Sequence, residues 1–120
     1  MKTFSFKRCN RLKTPLTFRK ILYKGLLISF DFFEVRYIPE TDENFSSIGI
    51  TISKKAGIPV VRNRIKRTTR EWFRLNKVYF LKPLKLVFRF KNKIEIGDIK
   101  KIPVQLTDKF KELNLLLRIK

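Results

Sequence analysis

The chain has 120 residues, with 29 Lys and Arg against 10 Asp and Glu, a formal net charge of +19, and 43% hydrophobic residues that include twelve Phe. That apolar content is enough to bury a core, which excludes a disordered basic tail. A surplus of positive charge this large repels itself unless a polyanion offsets it, so nucleic acid is the leading partner class and an anionic membrane surface the second. Histidine is absent, which excludes His-based acid–base chemistry and His metal ligands.

Cys9 is the single cysteine, so no intramolecular disulfide forms, and it reads as an incidental thiol of a reducing compartment. Residues 25–30 are apolar, but Lys24 and Asp31 bound them far short of a membrane span. The N-terminal MKTFSFKRCNRLK is basic and lacks the continuous apolar core of a signal peptide. A cytoplasmic protein without membrane contact is expected.

Residues 1–13 read as extended and basic. Helix signals begin at Thr14-Pro15, a capping hydroxyl followed by Pro at the first helical position. Leu16, Phe18, Ile21, Leu22 and Tyr23 supply the apolar side, and Gly25 is the stop after Lys24. Residues 29–38, SFDFFEVRYI, predict a strand in which Phe33, Val35 and Tyr37 alternate with Phe32, Glu34 and Arg36. Glu40, Asp42 and Glu43 mark an acidic turn. Residues 45–53 predict a second strand, with Ile48, Ile50 and Ile52 on one face and Ser47, Gly49, Thr51 and Ser53 on the other. An antiparallel pair across that short loop is the expectation.

Gly57 and Pro59 break the chain ahead of a basic helix. Lys82-Pro83 marks a boundary, and residues 84–90 predict a third strand, with Leu84, Leu86, Phe88 and Phe90 set against Lys85, Val87 and Arg89. Ile99, Ile102, Leu106, Phe110, Leu113 and Leu117 recur in steps of three and four, the pattern of an amphipathic helix starting near Ile102. The expected order is α-β-β-α-β-α: an α+β fold in which helices cover a small sheet, in one domain spanning 1–120.

The basic helix carries the most information. Lys54, Lys55, Arg62, Arg64, Lys66, Arg67, Arg70 and Arg74 stand against one acid, Glu71. At a hundred degrees per residue, Ile65, Thr69, Trp72 and Asn76 fall within about forty degrees of one direction, flanked by Phe73, Leu75 and Val61. This face is expected to pack on the sheet, with Trp72 in the core. Lys66, Arg67, Arg70 and Arg74 are expected to stand free on the opposite arc with Asn63, and Arg62 and Arg64 lie on its borders. Lys66, Arg70 and Arg74 are successive i,i+4 like charges, each pair costing a few tenths of a kcal/mol, where an ordinary solvated helix mixes signs. A polyanion explains why that cost is accepted, and guanidinium forks suit phosphate oxygens.

Ser53-Lys54-Lys55 followed by Arg62-Asn63-Arg64-Ile65-Lys66-Arg67-Thr68-Thr69-Arg70 resembles the RNR motif of the bacterial ribonuclease P protein family, without departure at the signature positions. Asn10-Arg11-Leu12-Lys13, Phe18 three residues before Ile21, and Gly25 also match. The likeness covers roughly residues 7–90, and the C-terminal thirty residues match only as a helix.

The resemblance implies a ribosomal protein S5 domain 2-like fold, with a small mixed sheet and the RNR helix in a left-handed βαβ crossover. It implies a protein subunit that binds the catalytic RNA of ribonuclease P and the 5′ leader of precursor tRNA, one protein per RNA. Catalysis, with its Mg2+, then belongs to the RNA, and no catalytic residue, metal site or cofactor is assigned to the protein. Lys54, Lys55, Arg62, Asn63, Arg64, Lys66, Arg67, Arg70 and Arg74 match the RNA-binding set. Phe18, Leu22, Arg36 and Lys55 match the leader cleft. Leu22 stands where the family pattern has a second aromatic, with Tyr23 beside it. Arg36 stands where the pattern has a tyrosine, with Tyr37 next. Taken alone, Phe18 is open to either base stacking or ordinary core packing.

Rival readings carry the same charge. A structural ribosomal or other RNA-binding protein lacks only the processing role. A membrane-surface helix would use Trp72 and Phe73 on its apolar face. A stand-alone nuclease would need a metal-binding acid cluster, and Glu40, Asp42 and Glu43 in a turn suit a non-binding edge better.

Overall fold

A computed structural model describes residues 11–12 and 15–116. Helix α1 spans Pro15–Lys24 and strand β1 Leu26–Ser29. β2 spans Glu34–Pro39 and β3 Ser47–Ile52. The basic helix α2 runs over Pro59–Asn76, β4 over Leu84–Phe90, the single turn α3 over Ile96–Ile99, and α4 over Lys101–Glu112. Single 3-10 turns occupy Lys54–Ala56 and Lys77–Tyr79. Thr14 as a cap, Cys9 and most of the basic N-terminal segment lie outside the described residues.

The four strands form one mixed sheet in the order β1-β2-β4-β3. β1 pairs β2 and β2 pairs β4 antiparallel, whereas β3 and β4 are parallel. The expected antiparallel pair of β2 with β3 therefore does not form, because β4 lies between them. The reason is burial. Leu84, Leu86, Phe88 and Phe90 are buried on one face of β4 and Val87 on the other, so the strand with two apolar faces takes the centre.

A second correction concerns residues 29–38. They are not one strand: Ser29 ends β1, which begins at Leu26, residues 30–33 form the turn, and β2 starts at Glu34. Phe30 N–H donates to the Phe33 carbonyl at 2.9 Å to close the turn, and the two rings stack at 4.4 Å. The observed order is thus α-β-β-β-α-β-α-α. At the C-terminus, α3 precedes the predicted helix. Pro103 sits in the first turn of α4, where a missing N–H leaves no intrahelical bond unmade.

The alternation of the strands divides the sheet cleanly. Ile28, Val35, Ile48, Leu86 and Phe88 face α2 and α4, whose Val61, Ile65, Trp72, Phe73, Leu106 and Phe110 complete the main core. Trp72 stands at its centre. Its ring meets Phe110 edge-on at 5.0 Å, and its indole N–H donates to Thr107 Oγ1 at 2.9 Å. α1 crosses the opposite face, packing on β2 and β4 with Ile21 fully buried. Gly25 turns the chain out of α1: its N–H donates to the Ile21 carbonyl at 2.8 Å, and its backbone lies against that of Tyr37, leaving no room for a Cβ. Among the described residues no helix is long and apolar enough to cross a membrane.

Candidate nucleic-acid interface

The apolar face of α2 is as the helical period predicts. Val61, Ile65, Thr69, Trp72 and Phe73 are buried, and Thr69 returns its hydroxyl to the Ile65 carbonyl at 2.8 Å. With Trp72 3% and Phe73 0% exposed, this face is spent on the sheet and α4 and is not available to a bilayer. Leu75 departs from the prediction: it is 43% exposed, at the edge of the stripe, while Asn76 turns its amide to the Trp72 carbonyl at 2.8 Å. Ile58 precedes the helix without a side-chain cap, and Pro59 opens it, which places the start three residues ahead of Arg62.

The outer face gathers the cations. Asn63, Arg64, Arg67 and Arg70 are exposed, and Arg62 and Lys66 are half-buried. Asn63, Lys66, Arg67, Arg70, Glu71 and Arg74 line one shallow depression of about 350 Å3. Arg74 is not free as expected. Its guanidinium is held by Glu71 one turn back, with Nε 3.1 Å from Oε2. The hydrogen bond from Arg74 holds the Glu71 carboxyl below its ordinary range. Among the described residues the row without an acid partner is therefore Lys66, half-buried, with Arg67 and Arg70, both exposed.

Lys54 and Lys55 leave the end of β3 in a 3-10 turn, both exposed. Ser53 Oγ accepts from the Lys55 N–H at 3.1 Å, and the Ala56 carbonyl accepts from Ile94 N–H at 3.0 Å. The turn is thus tied to the segment that follows β4, at one end of the sheet.

The other surface lies where α1 meets the sheet. Strand register puts Arg36, Val87 and Gly49 on one rung of that face. The Phe18 ring sits on Gly49, in the space a Cβ would fill, and Phe18 and Leu22 are each half-buried on α1. Phe18 is thus neither solvent-exposed nor part of the main core; it lies half-buried between α1 and β3. Arg36 lies on the same face of the sheet, with Nε 3.4 Å from Glu34 Oε2. Tyr37 faces the other way and packs against the main core, so no register shift brings it to the cleft.

Sequence reading did not single out Gly49, Glu34, Arg89 or Lys91 for this face. The alternation of residues 84–90 carried part of the signal, since it sets Lys85, Val87 and Arg89 on one face. What it lacked was the partner strand. The acidic turn lies apart: Asp42 and Glu43 are exposed, and Glu40 is 3.8 Å from Lys85. Among the described residues no three His, Cys, Asp or Glu side chains converge as a metal site.

The family model for ribonuclease P matches residues 6–114. The ribonuclease P protein component of Alkaliphilus oremlandii is 33% identical over 110 residues, covering 92% of this chain and 96% of the relative. That of Dictyoglomus thermophilum is 34% identical over 99 residues, 82% of each chain. Among solved structures, the Staphylococcus aureus RNase P protein superposes with a TM-score of 0.78 at 25% identity, over 89% of this chain and 97% of that one. The Thermotoga maritima RNase P protein gives 0.62 at 28% identity, over 92% and 97%.

Proposed function

This chain belongs to the ribonuclease P protein family, and from that premise we propose that its two cationic surfaces do different jobs in tRNA 5′ maturation. As the protein component it is a subunit of the ribonuclease P endoribonuclease holoenzyme, and its partners are the ribonuclease P RNA and precursor tRNA. The catalytic RNA docks on α2 through Arg62, Asn63, Arg64, Lys66, Arg67 and Arg70, with Arg74 at the margin and Lys54 beside the helix. The leader lies along the groove between α1 and the sheet, over Phe18, Leu22 and Arg36, with Lys55 at its end. The described elements act as one domain, with one protein per RNA, in the cytoplasm.

The observation that carries this reading is the asymmetry of α2. Val61, Ile65, Thr69, Trp72 and Phe73 are buried on one side, while Arg67 and Arg70 are exposed on the other beside the half-buried Lys66, with no acid between positions 66 and 70. Such a face lowers its own repulsion by displacing counter-ions from RNA phosphates. The protein then contributes affinity and screening between two RNAs, while the RNA contributes catalysis and holds the metal ions.

Reconstitution tests the reading. Added to the catalytic RNA at low magnesium, the chain is expected to stimulate 5′-leader cleavage, with binding that weakens steeply as salt rises. No stimulation, or a flat salt response, would overturn it.

A further inference from the structure

On the groove face of the sheet, register sets Glu34 of β2 opposite Arg89 of β4, and Arg89 opposite Thr51 of β3. The Glu34 carboxylate meets three cations there. Oε1 is 2.8 Å from Lys91 Nζ, and Oε2 is 3.4 Å from Arg36 Nε and 3.8 Å from Arg89 Nη1. Three cations against one carboxylate leave a local charge of +2. The acid forms the floor: its side chain is 18% exposed, against 52% for Lys91.

The pairing is incomplete. Glu34 Oε2 and Arg36 Nε are buried and, among the described residues, have no hydrogen-bond partner. They face each other at ion-pair distance without hydrogen-bond geometry, so Arg36 and Glu34 are matched by charge alone. The cluster also borders the aromatic wall. The Glu34–Arg89–Thr51 rung is one same-face step, about 7 Å, from the Arg36–Val87–Gly49 rung that carries Phe18.

We infer that Glu34 is a built-in counter-ion that engages the phosphate-binding cations of the groove and thereby sets how tightly the groove holds a single-stranded RNA phosphodiester. The inference rests on the reading of this groove as the leader site. A phosphodiester carries the same charge as the carboxylate and must share Arg36, Arg89 and Lys91 with it. Glu34 cannot withdraw, because it is fixed in the middle strands of the sheet. The groove therefore holds the leader with two net charges instead of three, which keeps release after cleavage fast and lowers the affinity for unrelated single strands that phosphate contacts alone would bind. Burial raises the Glu34 carboxyl, but the hydrogen bond and charge of Lys91, with the charges of Arg89 and Arg36, outweigh it and hold the group below its ordinary range. The carboxylate is accordingly ionised at neutral pH.

The test uses holoenzyme assembled from the full chain and the catalytic RNA, with precursor tRNA, mature tRNA and the free leader oligonucleotide as probes. Glu34→Gln keeps the shape and removes the charge. It is expected to bind precursor tRNA about three- to tenfold tighter at low salt. The gain should shrink as salt rises, mature tRNA should be unaffected, and the leader oligonucleotide should leave more slowly. The double variant E34Q/K91Q, with the local charge back at +2, is expected within about twofold of the parent. Should E34Q fold poorly, Lys91→Gln alone, which lowers the local charge to +1, gives the converse reading: it is expected to weaken precursor binding at low salt, and unchanged binding would overturn the inference. Unchanged or weaker precursor binding in E34Q, with Phe18→Ala still weakening it, would overturn the counter-ion role and leave the leader groove standing. Parental binding by Phe18→Ala would instead overturn the groove reading, and this inference with it.

Discussion

The Phe18 ring lies on Gly49, filling the volume that any larger residue at position 49 would claim. A helix residue and a strand residue thirty-one positions apart in the chain thus make the aromatic wall of the groove together. Gly49→Ala is expected to displace the tip of the Phe18 side chain, which can swing, and so to cost little stability. Precursor tRNA affinity should fall, while binding to the catalytic RNA stays as in the parent. Phe18→Ala should have the larger effect, since a base–aromatic stack is worth about 1–3 kcal/mol. Thermal melts together with precursor and mature tRNA titrations check both. A large fall in melting temperature for Gly49→Ala without an affinity change would show that the contact serves packing alone.

Lys66, Arg67 and Arg70 should separate binding from folding. Arg67→Ala is expected to weaken catalytic RNA binding and to make its salt slope shallower by about 0.7–0.9 for each phosphate no longer neutralised. Arg70→Ala should do the same and leave the melting temperature equal or slightly higher, because two like-charge i,i+4 pairs, with Lys66 and with Arg74, each costing about a few tenths of a kcal/mol, are removed. Footprinting of the catalytic RNA with each variant locates the interface. Undiminished protection in both variants would remove α2 from it.

Trp72 belongs to stability. Trp72→Ala opens a cavity between α2, α4 and β4 and is expected to cost about 3–5 kcal/mol. Trp72→Phe keeps most of the apolar packing but leaves Thr107 without its indole partner, for about 1 kcal/mol. Denaturant titrations of the free protein read both. RNA affinity of the folded Trp72→Phe variant should match the parent, and a specific loss there would assign the indole to RNA.

Stability should also depend on pH through Glu34. Its folded pKa lies below the ordinary value of 4.5, with three cations outweighing the effect of burial. A depressed carboxyl stabilises the fold above the ordinary pKa and loses that contribution as pH falls through the folded pKa. The parent should therefore lose melting temperature as pH drops below about 4.5, and Glu34→Gln should show a shallower decline over the same window. Glu71 is lowered too, by the hydrogen bond from Arg74, but its side chain is 52% exposed and solvent screens the pair, so its variant should move the curve little. Parallel acid titrations of the two proteins that superpose would contradict the charge cluster.

Much of the fold was legible one element at a time. The buried face of α2 follows from a 3.6-residue period, and the faces of β3 and β4 from a period of two, because both patterns are set by backbone geometry within the element. Leu75 fell out because it sits at the edge of the stripe, where the neighbouring elements decide exposure. Arg74 fell out because its ion pair with Glu71 competes with the outward orientation that its position on the helix suggests. Strand parity also set Arg36 and Tyr37 on opposite faces of β2, and Tyr37 packs against the main core.

By itself, the sequence determined the charge surplus, the two-faced basic helix, the parity of each strand and, through the RNR motif, the family. The tertiary structure decided which strands are neighbours. β4 inserts between β2 and β3, which are consecutive in the chain, because its two apolar faces are buried only at the centre of the sheet. That choice is non-local, and no period within a segment encodes it. It alone brings Glu34 and Arg36 to Arg89 and Lys91, and Gly49 beneath Phe18, so the groove and its counter-ion exist only once the sheet has closed.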